Sequence, residues 1–182
     1  MISGVLTING WGHKIGIESS EIHRNTSAPV EPVRKKREIY MYQEQYNDFM
    51  SSNKTLRIYQ GEQPVYTSEK ERLLPLMDYL GNTASRYDGV TVFDKVMGNA
   101  AALLSVKAGC REVWSPLGSE IAVKTLDKYN IPYHLTEIVP FITRPDGVRM
   151  CPMEELSIGK EPEEFYQVMK ERIEVAKQSG QA

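Results

Sequence analysis

Asp94, Lys95, Gly98 and Asn99 lie close together immediately after the apolar run Val90-Thr91-Val92-Phe93. The run reads as a short buried strand and residues 95–107 as a helix, with Asp94 suited to cap the helix start. A helix start gathers free amides and the positive end of the helix dipole, and Lys95 adds a full charge there, so the loop is a candidate phosphate or carboxylate site. Gly98 early in a helix costs about 1 kcal/mol relative to alanine, which implies that a ligand or another stretch of backbone approaches closely. The same residues also admit a plainer account, with Asp94 only a cap, Lys95 in solvent, and Gly98 with the alanines at 100–102 serving helix packing.

A second helix start follows at Ser115-Pro116-Leu117-Gly118-Ser119-Glu120. Ser119 can cap it, Gly118 permits a tight turn, and Ser119 with Glu120 forms a weaker candidate anion site or simply a structural cap. Further on, Cys151-Pro152-Met153-Glu154 pairs a thiol with a carboxylate after Arg144 and Arg149. A reactive thiolate there would need a positive neighbour to lower its pKa, and no histidine is close in sequence to act as base; a structural cysteine before a proline turn is the alternative. Lys95, Cys151 and Glu154 are thus the candidates for chemistry. His134 falls within a strand pattern and reads as a packed or surface residue. The basic run Arg34-Lys35-Lys36-Arg37 reads as solvated, and without interleaved aromatics nucleic acid is not an expected partner.

These residues depend on an alternation of strands and helices. Tyr42, Tyr46, Phe49 and Met50 recur at the spacing of one helical face, so residues 40–50 read as a docking helix. Residues 55–60 and 63–67 alternate about Gly61-Glu62, a β-hairpin. Leu73 to Leu80 marks a helix ending near Gly81, with Pro75 in its first turns. Strand 112–114, helix 120–129, strand 132–139, a turn at Arg144-Pro145-Asp146-Gly147 and a polar helix over 162–177 complete the pattern. Such alternation implies right-handed crossovers and a locally parallel sheet covered on both faces: a three-layer α/β/α sandwich around a mixed sheet of five strands. Residues 1–39, with a short hairpin pattern at 5–12 and a polar stretch holding Pro29 and Pro32, read as an extension and linker, and 40–178 as a single domain.

A chain of 182 residues with 41% hydrophobic and 25% charged residues has the makings of one globular domain. A formal charge of −2 gives no overall pull toward nucleic acid or an anionic membrane, and no apolar run is long enough to span a bilayer. The first residues lack a secretory pattern and the two cysteines make no disulfide framework, so a reducing, cytoplasmic setting is expected. Self-association is left open.

The series Asp94-Lys95-x-x-Gly98-x-Ala100-Ala101-x-Leu103-Leu104, then Ser119-Glu120-x-Ala122, then Cys151-Pro152-x-Glu154, resembles domain-of-unknown-function family 1893 over residues 55–172. That resemblance implies a cytidine deaminase-like fold. Working deaminases need three His or Cys zinc ligands and a proton-shuttling glutamate, brought by two helix starts. The start that carries His-Ala-Glu falls here at Ser68-Glu69-Lys70-Glu71, and the one that carries Pro-Cys-x-x-Cys at Asp94-Lys95-Val96-Met97-Gly98. Neither offers imidazole or thiolate, so no zinc site, metal or other cofactor is expected. The resemblance leaves a pocket between two helix starts, lined by Lys95, Asn99, and Glu69 or Glu71. The expected function is retention of an anionic or nucleotide-derived small molecule by residues 94–99; the alternatives are a metal-free enzyme using Lys95 or Cys151, partnered by Asp94 or Glu154, and an interaction scaffold.

Overall fold

The computed structural model describes residues 31–84 and 87–179. The elements are Glu31–Ser51 (α1), Leu56–Gln60 (β1), Gln63–Ser68 (β2), Leu74–Asn82 (α2), Val90–Asp94 (β3), Asn99–Lys107 (α3), Cys110–Ser119 (β4), Glu120–Lys128 (α4), Tyr133–Val139 (β5), Pro152–Ser157 (α5) and Pro162–Gln178 (α6). They build a mixed α/β domain around a five-stranded sheet of order β2-β1-β3-β4-β5. β1 runs antiparallel to both β2 and β3, while β3, β4 and β5 are mutually parallel.

β3 holds the middle of the sheet, and Val90, Thr91, Val92 and Phe93 are all fully buried, as a strand covered on both faces requires. Its alternation divides the core. Val90 and Val92, with Leu56, Ile58 and Val113, pack against α2, α3, α4 and α6. On the opposite face Tyr59, Phe93 and Trp114 meet Tyr42, Tyr46 and Phe49 of α1. Phe93 centres that second cluster, with ring centroids 5.1 Å from Tyr59 and 5.7 Å from Tyr46. The expected periodicity of α1 holds for these three residues, but Met50 is 39% exposed and lies off the packed face.

Several boundaries differ from the sequence reading. α1 begins at Glu31, inside the stretch read as linker, so Pro32 falls in its first turn, where a missing amide costs nothing. The pattern at 5–12 and the polar stretch up to residue 30 lie outside the described residues. β4 continues through Ser115-Pro116-Leu117-Gly118 to Ser119, which the sequence reading made a loop; Pro116 lies beyond the last pair with β3, Phe93↔Trp114, and falls in the ladder to β5 between the pairs Ser115↔Leu135 and Leu117↔Glu137. α3 begins at Asn99 with Gly98 as its N-cap, later than expected. Cys151 leads into a short helix, α5, which apolar periodicity over so few residues could not announce. Among the described residues no helix is long and apolar enough to cross a membrane.

Candidate functional site

A cavity of about 410 Å³, within the size range of small-molecule sites, opens where β3 ends and α2, α3 and α5 begin. Its wall is mainly apolar, with Leu73, Ala100, Ala101, Ile142 and Met153, and its polar side chains include Glu71, Arg72, Asp94, Lys95, Cys151 and Glu154. The backbone bond from Cys151 N to Ile142 O (2.8 Å) ties the 151–154 segment to residue 142, and the side-chain contact described next brings it to the start of α3.

Glu154 is only 2% exposed, and its Oε2 accepts from the backbone N–H of Asn99 at 2.7 Å. The carboxylate therefore occupies the N-terminus of α3, where the sequence suggested a ligand's phosphate. Gly98 is the residue that allows this. A Cβ at position 98 would lie 2.5 Å from Glu154 Oε2 and 2.9 Å from Ile142 Cγ1, so the close approach implied by the glycine is made by the protein's own side chain. The other carboxylate oxygen, Oε1, is buried and has no hydrogen-bond partner among the described residues.

Asp94 does not cap α3. It ends β3, and its Oδ1 accepts from Val96 N at 3.1 Å in a local turn. Burial pushes its carboxyl up from 3.8 to about 7, against the opposing effect of hydrogen bonds from the Val96 and Lys95 amides. Lys95 does not offer its ammonium to the helix start either. Lys95 Nζ donates to Phe49 O and Met50 O, both at 3.1 Å, at the carboxyl end of α1, and lies 4.5 Å from the Phe49 ring centroid. Burial, then the nearby Arg57, lowers the Lys95 pKa.

The remaining sequence candidates divide clearly. Asn99 is buried and does not line the cavity: its amide nitrogen donates to Ser157 O and Ser157 Oγ, and its Oδ1 accepts from Thr125, tying α3 to α4 and α5. Ser119 caps α4 as expected, its Oγ accepting from Ala122 N at 3.0 Å, while Glu120 is exposed; neither lines the cavity. Glu69 pairs with Lys54, and Glu71 rather than Glu69 reaches the cavity. The sequence reading did not single out Arg72, which has a left-handed φ of 59° and lines the exposed rim, and no residue pattern announces it. Ile142 and Met153 were also missed, because hydrophobicity alone does not distinguish a cavity wall from core. Cys110 is buried, and that burial pushes its thiol up to about 12. His134 stacks on Trp114 at 3.8 Å and meets Glu112 Oε1 at 2.8 Å, away from the cavity.

The arrangement is that of a mixed-sheet α/β domain with an apolar cavity beyond the end of a parallel strand, carrying carboxyl groups on its wall. The chain belongs to the DUF1893 family: the family model described as a domain of unknown function, TM1506, matches residues 45–173. It is similar in fold to the crystal structure of a DUF1893 family protein, TM1506, from Thermotoga maritima, with 24% identity and a TM-score of 0.58 over 85% of this chain and 99% of that one. No curated protein matches the sequence.

Proposed function

We propose that this chain is a small-molecule-binding protein on a cytidine deaminase-like fold, holding a nucleotide-derived compound in the cavity between α2, α3 and α5 without a metal ion. The observation that carries the reading is an apolar cavity of ≈ 410 Å³ lined by Asp94 and by the almost fully buried Glu154. The strand order with β1 reversed and β3, β4 and β5 parallel supports the fold, and a position beyond the carboxyl end of β3 is where open α/β sheets receive ligands. Zinc does not fit the donor set. Among the described residues the cavity presents Asp94, Glu71, Glu154 and one thiol, Cys151, with no imidazole, and one oxygen of Glu154 is committed to the Asn99 amide. Because Lys95 and the α3 amide are engaged within the protein, recognition shifts from an anion at the 94–99 loop to the body of the ligand.

A metal-free enzyme is the second reading, favoured by one specific feature. Asp94, pushed to about 7, is poised between acid and base at neutral pH on the same wall as Cys151. Native mass spectrometry of freshly purified protein tests the binding reading, compared with Cys151→Phe, which crowds the cavity, and Cys151→Ser, which leaves it open. A nucleoside-sized adduct on the wild type and Cys151→Ser, lost from Cys151→Phe, supports it. A clean mass together with no thermal shift from a panel of bases, nucleosides and nucleotides would refute it.

A further inference from the structure

A lysine ammonium has three donors, and the structure gives those of Lys95 unequal partners. Two are strong acceptors, the carbonyls of Phe49 and Met50, each at 3.1 Å at the carboxyl end of α1. The remaining contact is the thioether sulfur of Met50 at 3.9 Å, and a thioether is a weak acceptor. The ammonium also lies 4.5 Å from the Phe49 ring centroid, so the last turn of α1 holds it through both backbone and side chains. Met50 itself is 39% exposed. Among the described residues it is the most exposed methionine: Met77, Met97 and Met169 are buried, and Met41, Met150 and Met153 are partly covered. Oxidation of methionine turns a flexible apolar side chain into a polar one, and in a core that is damaging because the new oxygen is buried without a donor. At Met50 a cationic donor already stands beside the sulfur.

We propose that Met50 is a redox modification site whose sulfoxide is received by Lys95, so that oxidation tightens the join between α1 and the end of β3 instead of loosening it. With hydrogen peroxide as oxidant, a lone pair of Met50 Sδ attacks one peroxide oxygen. The S–O bond forms as the O–O bond breaks, and the departing hydroxide takes the proton of the transferred hydroxyl and leaves as water. Sulfur gives up two electrons and the peroxide accepts them. The new oxygen is carried by an atom 3.9 Å from Nζ, within reach of the third N–H, and a charge-assisted hydrogen bond replaces a weak contact to sulfur. A methionine sulfoxide reductase reverses the change, which makes it a switch and not only a lesion.

The test treats the full chain with dilute hydrogen peroxide, follows each methionine by peptide mass spectrometry, and then measures amide hydrogen exchange. Met50 is expected to gain oxygen at least about tenfold faster than Met77, Met97 and Met169, in line with its exposure. In the oxidised protein the last turns of α1 are expected to exchange at least about threefold more slowly than in the untreated protein, as a new charge-assisted bond at that end requires. Two controls assign the effect to this contact. Met50→Leu, given the same peroxide, has its other methionines oxidised to the same extent and is expected to show no slowing. Lys95→Met still takes up oxygen at Met50 but has no ammonium to receive it, and is likewise expected to show none. Met50→Gln, which places a carbonyl oxygen near the position of the sulfoxide, is expected to slow exchange without any oxidant. Faster or unchanged exchange in α1 on oxidation overturns the inference, as does slowing that persists in Lys95→Met or a buried methionine that oxidises ahead of Met50.

Discussion

Replacing Asp94 with asparagine is expected to stabilise the protein above neutral pH. Its carboxyl is moved from 3.8 to about 7, so the folded state holds the proton more tightly than the unfolded chain. Between these values the folded state keeps a proton that the unfolded state has released, and stability falls as pH rises, by up to about 1.36 kcal/mol per pH unit. The whole interval corresponds to about 4 kcal/mol; solvent in the open cavity reduces this to about 2 kcal/mol. Below 3.8 no penalty applies, and above about 7 it is complete. The charged or titratable groups around Asp94 at the cavity are Glu71, Arg72, Lys95, Cys151 and Glu154. The substituted asparagine retains the oxygen that accepts from Val96 N, so the turn survives the change. Urea unfolding of wild type and Asp94→Asn from pH 4 to pH 8 isolates the effect, because every other group titrates in both. Their difference is expected to widen in favour of the variant by about 2 kcal/mol across that range. Parallel pH curves would show that Asp94 titrates as an ordinary surface carboxyl and refute the reasoning.

Gly98→Ala drives a methyl into Glu154 Oε2 and Ile142, and is expected to cost about 1–3 kcal/mol; pairing it with Glu154→Ala should cost clearly less than the sum of the single changes, as a thermodynamic cycle from chemical denaturation will show. Lys95→Met removes the cation from the carboxyl end of α1 and is expected to cost about 1 kcal/mol, with faster amide hydrogen exchange concentrated in the last turns of α1 rather than at the cavity. Phe93→Ala, at the centre of the aromatic cluster, is expected to lose about 3–5 kcal/mol, read from the urea midpoint.

The strands and long helices were legible because their burial is periodic. The Val90-Thr91-Val92-Phe93 run, the 42-46-49 face of α1 and the Ser119 cap all follow from local spacing and appear in the structure as read. What the sequence did not reveal is where the charged groups point. Asp94 and Lys95 have the right types for an anion loop, yet each is settled by a partner distant in sequence or by a turn: Lys95 by α1, the α3 amide by Glu154. Gly98 did carry the correct message, that something comes close, without saying that it is the carboxylate of Glu154, which lies beyond β4, α4 and β5 along the chain. Asn99 was expected to line the pocket that the family resemblance places between two helix starts, but its hydrogen bonds are spent holding three helices together.

Lys95 belongs at once to the cavity wall and to the end of α1, the described helix that covers the aromatic face of the sheet. The matched family segment starts at residue 45, partway along that helix. For anyone shortening this protein for expression or crystallisation, the safe cut therefore lies before Tyr42. A fragment starting at Leu56 would leave Tyr59, Phe93 and Trp114 open to water as a sticky plate, and would also strip from Lys95 the carbonyls that hold its charge at the end of α1.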